Sequence, residues 1–304
     1  MKKNLLIMIL TLTLFLSGCY NYKDINKMIF VTAIGIDIDE KNNPVVYAEA
    51  FLTNRTATED KGTEEKTLFK GTGDTIFEAV RNINLSTSYK LNYTQNKAII
   101  FSERAAKYGL ANFIDILDRD QEFLMRQYMF VCADDLIDVL KTQVAEENFV
   151  GIFLSDLILN YQIQSKGSKL RFDEYLVNRG IDNNIDVINF LEKTRHTPND
   201  RLSIKGLAVI QSDKLIGELS PKEAKYYNFF MGTLKVGDIV IPHPRHEEKF
   251  ITLEVVKNRT RTNVSMEEER ININKTINIK VSLGEAQKDV YISNKEERNT
   301  LARY

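Results

Sequence analysis

Ile29-Phe30-Val31-Thr32-Ala33-Ile34-Gly35-Ile36-Asp37 is β-branched and almost wholly apolar, and it reads as a buried strand. Asp39 to Pro44 is a polar turn, and Val45-Val46-Tyr47-Ala48-Glu49-Ala50-Phe51 reads as the hairpin partner. Asn54 to Lys66 is polar and charged without apolar periodicity, which predicts a mobile loop.

Downstream, strand and helix signals alternate. Leu68 to Gly73 predicts a short strand running into a turn. Asp74 or Thr75 can cap a helix that carries Glu78 in its first turn and the stripe Ile76, Ala79, Val80 and Ile83. Ala98 to Ser102 predicts a strand, Ala105-Ala106 and Leu110 to Leu117 helical segments, and Gln127 to Ala133 a strand. Leu136 to Leu140, Ile152 to Gln164 and Phe172 to Arg179 read as helices. Thr197-Pro198-Asn199-Asp200 is a break, taken as a domain boundary. After it come strand signals at Leu202 to Ile210 and Leu215 to Leu219, joined by the turn Asp213-Lys214. Ser220-Pro221-Lys222-Glu223 starts a helix that Gly232 ends: Ser as N-cap, Pro at the first helical position and Glu at the third. Val236 to Pro242, Phe250 to Asn258 and Ile271 to Val281 read as strands, with a polar interval at Thr260 to Arg270. The alternation predicts an α+β fold of mixed sheets covered by helices. The expected units are 27–198, a small middle unit over 199–245, and the start of a further unit over 246–304.

Upstream of the first strand lies an export signal. Lys2 and Lys3 precede the apolar run Leu5 to Leu16, interrupted only by Thr11 and Thr13. A membrane span needs about 20 apolar residues, so the run fits a signal peptide over 1–18. Leu16-Ser17-Gly18-Cys19 resembles the lipobox of bacterial lipoproteins. That resemblance implies cleavage before Cys19, a diacylglyceryl group on its sulfur and an acyl group on the new amino terminus. Residues 19–26 then form a short polar lipidated tether. Two acyl chains hold a protein on a bilayer where one is marginal. Cys132 is the other cysteine, so a lipidated Cys19 leaves no intramolecular disulfide, and the apolar surroundings of Cys132 predict a buried, inert thiol.

The search for chemistry finds no catalytic, metal or cofactor constellation. The formal net charge is −1, which gives no argument for nucleic acid. Of the three histidines, His243 and His246 flank Pro244-Arg245 and read as exposed turn residues without acidic or thiol companions. Gly71-Thr72-Gly73 lacks the third glycine of a dinucleotide loop and reads as a turn. Asp118, Asp120 and Glu122 lack the glycine of a calcium loop. Asp134-Asp135 reads as a helix cap, and Glu64-Glu65-Lys66 as solvated surface. The expectation is a binding or scaffold component, not an enzyme.

Two blocks carry a resemblance to a known family. Phe69 to Leu110, FKGTGDTIFEAVRNINLSTSYKLNYTQNKAIIFSERAAKYGL, and Ile204 to Gly232, IKGLAVIQSDKLIGELSPKEAKYYNFFMG, together with the lipobox and Ile29 to Asp37, resemble the Ger(x)C spore germination lipoproteins. The resemblance implies up to three α/β-type domains, the last of them shortened here. It also implies the C subunit of a nutrient germinant receptor, anchored at Cys19 on the outer face of the spore inner membrane. Its partners are then the bilayer and the integral membrane A and B subunits, with no direct small-molecule ligand and no cofactor. A solute-binding lipoprotein of an envelope transporter is the alternative; it calls for two similar lobes around a cleft, and the sequence shows no repeated half.

Overall fold

The structure, a computed structural model, describes residues 3–4, 27–52, 65–160, 165–182, 184–194, 201–234, 236–267, 270–290 and 294–301. The expected signal peptide beyond residues 3 and 4, Cys19, the tether, the loop over 54–64 and the break at 197–200 lie outside the described residues.

Strand β1 (Met28–Ile38) is buried at every position. Its apolar residues fall out of simple alternation: Ile29 and Val31, then Ile34, Ile36 and Ile38, all belong to one core cluster. A β-bulge between Val31 and Ala33 reconciles them. One extra residue flips the side-chain parity, so all five face the same layer while Ala33 packs into the opposite one.

Strand β2 (Pro44–Leu52) pairs antiparallel with β1, and β3 (Thr67–Thr72) antiparallel with β2. On the other side of β1 lie β4 (Lys90–Asn92) and β5 (Ala98–Ser102), both parallel to it. β6 (Tyr128–Cys132) and β7 (Ile185–Thr194) continue the parallel run. β8 (Arg201–Gln211) and β9 (Lys214–Leu219) are added antiparallel. The result is a nine-stranded mixed sheet in the order β3-β2-β1-β5-β6-β7-β8-β9, with β4 beside the start of β1. The two strands flanking the break at 197–200, β7 and β8, pair directly with one another.

The sequence reading assigns no element to 185–194, yet β7 is a central strand. Asp186 and Asn189 interrupt its apolar pattern and hide the signal. Both are buried and hydrogen-bonded: Asp186 accepts from the amides of Asn178 and Asn184, and Asn189 exchanges two bonds with the Ser168 backbone.

Helices cover both faces. On one face pack α1 (Ile76–Ile83), α2 (Glu103–Tyr108), α3 (Ala111–Arg119) and α6 (Phe172–Arg179). On the other pack α4 (Leu136–Lys141) and α5 (Val150–Leu159). The caps follow the sequence: the Thr75 hydroxyl accepts from the Glu78 N–H, and the Asp135 carboxylate from the Ile137 N–H. Gly71-Thr72-Gly73, expected as a turn, is largely strand. A Cβ on Gly71 would lie 2.0 Å from the Ala79 carbonyl, so the glycine is what seats α1 against β3.

Helix α7 (Pro221–Met231) opens with the full Ser220–Glu223 capping box and ends at Gly232, whose φ of 75° is left-handed. It packs on a separate antiparallel sheet of β10 (Gly237–His243), β11 (His246–Glu267) and β12 (Arg270–Ala286). The interval 260–270, expected as a polar connection, is mostly strand: β11 and β12 stay paired to Glu267↔Arg270. Residues 295–301 form helix α8 (Lys295–Leu301).

Candidate functional site

Three polar clusters and an apolar ribbon surface stand out among the described residues. The first is built on the β1 bulge. Glu49, fully buried on β2, accepts hydrogen bonds from the Thr32 hydroxyl at 2.8 Å and from the backbone N–H groups of Val150 at 2.7 Å and Gly151 at 2.9 Å. The carboxylate therefore caps the start of α5, where the free N–H groups and the helix dipole favour negative charge. Lys66 lies 3.5 Å from it and donates to the carbonyls of Leu140 and Thr142. Burial pushes the Glu49 carboxyl up, against the pull of these donors, and burial likewise pushes the Lys66 ammonium down. Gly151 permits the approach, since a Cβ there would sit 2.0 Å from the Thr32 carbonyl. The cluster ties β1, β2, α4 and α5 together. Sequence reasoning missed both charged groups. A lone Glu inside an apolar strand was the available signal; Lys66, expected as solvated loop, gave none.

The second cluster lies at the end of β1 and β5. Asp37 accepts from the Ser102 hydroxyl, from Arg104 Nε at 2.6 Å and Arg104 Nη2, and from the Ile38 N–H at 2.8 Å. Burial opposes the Asp37 charge, but the bonds from Arg104, Ser102 and Ile38 outweigh it and hold the carboxyl below its usual range. Ser102 also caps α2, accepting from the Ala105 N–H. With its oxygen spent on a cap and a carboxylate, Ser102 orients α2 against β1.

The third cluster surrounds the two-residue turn between β8 and β9. Ser212 and Asp213 both have positive φ, which Asp tolerates at such turns. Asp213 accepts from the Tyr175 hydroxyl at 2.5 Å and from Arg179 Nε at 2.7 Å, and its carbonyl accepts from the Leu110 N–H. The cluster pins the β8–β9 hairpin to α3 and α6.

The remaining residues singled out in the sequence fall as follows. Cys132 is buried, burial pushes its thiol up to about 12, and the sulfhydryl donates to the Asp134 carbonyl. His243 corrects an expectation: it is 3% exposed, not a solvated turn residue. The tight β10–β11 turn folds its ring inward, and Nδ1 accepts from the Arg245 N–H. Its ring lies 4.8 Å from that of His246, which is exposed. Asp120 caps a turn by accepting from the Glu122 N–H, and Glu122 pairs with Lys90. Among the described residues no group of three His, Cys, Asp or Glu side chains could hold a metal ion.

The apolar surface is the β11–β12 ribbon. Near its base, the Thr260 hydroxyl donates to the Phe229 carbonyl and Asn258 Nδ2 to the Leu234 carbonyl, so α7 covers this face. Farther out the same face carries the facing pairs Val264↔Ile273 and Met266↔Ile271, all exposed, with Met266 73% exposed. The opposite face carries Arg259, Arg261, Asn263, Asn272, Asn274 and Lys280.

The geometry has its counterpart among known proteins. Residues 21–188 match the family described as the spore germination protein N-terminal domain, and residues 205–303 match the one described as spore germination B3/GerAC like, C-terminal. The chain is 21% identical to spore germination protein GerQC of Bacillus cereus over 298 residues, 97% of this chain and 80% of that protein. It is 27% identical to putative spore germination protein YfkR of Bacillus subtilis (strain 168) over 214 residues, 68% of this chain and 55% of that protein. The crystal structure of the GerBC protein matches with a TM-score of 0.50 at 16% identity, covering 89% of this chain and 79% of that one, a likeness of fold. The described residues form one nine-stranded mixed sheet and one three-stranded antiparallel sheet, with no paired similar lobes among them. The two matched regions together take in most of the sequence from residue 21 onward, and on that ground the chain belongs to the GerAC family of spore germination proteins.

Proposed function

We propose that the chain is the lipid-anchored C subunit of a nutrient germinant receptor and that it acts by protein contact, without catalysis. Cys19 carries the anchor, a diacylglyceryl group on sulfur and an acyl group on the amino terminus. The anchor holds the folded region on the outer face of the spore inner membrane, within reach of the integral membrane A and B subunits. The observation that carries this reading is one of position: the family match begins at residue 21, directly behind the lipobox cysteine. The polar clusters support it too, because each carboxylate in them is bound up in holding helices and turns to the large sheet.

The test is Cys19→Ala in the spore-forming host. The expected result is loss of the protein from the membrane fraction together with impaired germination in response to nutrient. A variant that leaves the membrane yet germinates at the normal rate overturns the reading. Co-purification from detergent-solubilised spore membranes tests the partners: recovery of a transporter permease in place of germination proteins sinks the receptor assignment.

A further inference from the structure

The nine-stranded sheet has two unlike ends. At one end the parallel strands begin. Met28 pairs with Lys90 there, Asn92 Nδ2 contacts the Met28 sulfur, and Lys90 reaches Glu122. The segment before β4 and the segment before β6 therefore meet beside the first residues of β1. Exposed at this end are Leu85, at 84%, with Tyr89, Leu124 and Met125. Lys27, Lys97 and Arg126 are exposed among them. At the other end lie the turns 39–43, 73–75 and 133–135. These carry no exposed large apolar residue; their exposed charged side chains are Asp39, Glu40, Lys41, Asp74 and Asp135, four acids to one base.

The position of the anchor decides what the apolar end meets. Seven residues separate Cys19 from Lys27. Even fully extended, that connection spans no more than about 29 Å. β1 itself, eleven residues long, carries the chain about 36 Å away from its start. The end holding Leu85 and Leu124 is thus the near end, and the acidic end is the far one.

We infer that the strand-start end of the large sheet rests on the bilayer, with Leu85, Tyr89, Leu124 and Met125 entering the interfacial layer and Lys27, Lys97 and Arg126 meeting anionic lipid phosphates. This inference rests on the acylation of Cys19. Apolar and aromatic side chains at the headgroup level add buried area, and each cation near an anionic leaflet adds attraction. The contact makes the anchor a two-point attachment: the acyl chains hold the protein to the membrane, and the patch sets its orientation. The acidic far end then stands away from the surface.

The chain has no tryptophan, so a single one reports its own surroundings. Leu85→Trp, Leu124→Trp and Glu40→Trp are made in the full-length acylated protein and bound to phosphatidylglycerol–phosphatidylcholine vesicles with or without brominated acyl chains. The expected result is about a twofold loss of emission at positions 85 and 124 in brominated vesicles and none at position 40. All three positions are exposed, so equal melting temperatures verify the fold. Vesicle-bound protein with positions 85 and 124 unquenched overturns the orientation alone and assigns the patch to a protein partner. Protein that stays in the supernatant without acyl mass on Cys19 overturns the anchor, and this inference with it.

Discussion

Asp37 shows how one residue ties the end of a strand to the start of a helix. Its carboxylate takes donors from β1 itself, from Ser102 and from Arg104. Because its pKa is lowered from the ordinary 3.8, the folded state releases the proton that the unfolded chain would keep. Its stabilising contribution is therefore full above about pH 3.8 and lost as pH falls through the folded value. Asp37→Asn is expected to cost about 2 kcal/mol near neutral pH, the scale of hydrogen bonds to a charged group. In urea titrations the gap to wild type should narrow below pH 4; a gap constant down to pH 2 argues against the ion pair as its source. The residue also illustrates what a sequence hides. Asp37 reads as the polar last residue of an otherwise apolar strand, and its partners lie 65 and 67 positions away. Glu49 is hidden in the same way, since the N–H groups it caps belong to a helix 101 residues downstream.

At the scale of elements, local chemistry was the legible part. Thr75, Asp135 and Ser220 cap the helices they precede as expected, because an N-cap needs only its own next three residues; Ser102, expected only as the end of a strand, caps α2 as well. The strands missed, β4 and β7, draw their strand character from neighbours: β4 is three residues beside β1, and β7 holds buried polar groups satisfied by distant loops. The ribbon was misread for the opposite reason. Its outer half alternates correctly, but its polar face dominates the composition, and packing does not mark its limit. That half should behave as surface. Ile251, fully buried between β10 and β12, is expected to cost about 2–5 kcal/mol on truncation to Ala. Ile273→Thr should stay within about 0.5 kcal/mol of wild type. Denaturation midpoints distinguish them, and an equal cost at Ile273 means that its face is covered in solution.

For the whole molecule, the α+β class followed from periodicity and caps, and so did the order of strands and helices through residue 179 apart from β4. The shape of the large sheet did not, because strand order depends on which edges meet. The pairing of β7 with β8 places the family's N-terminal and C-terminal regions in one sheet, with β8 and β9 completing the far edge. A core shared in this way melts together. Calorimetry is expected to give a single transition for β1 to β9; two separated transitions dividing near residue 200 count against it. The same pairing bears on proteolysis. A cut anywhere between Thr194 and Arg201 severs the backbone but leaves the β7–β8 ladder from Ile185↔Gln211 to Thr194↔Arg201 intact. The two fragments should stay bound under native conditions and part only in denaturant, so a nicked subunit would still travel as one particle.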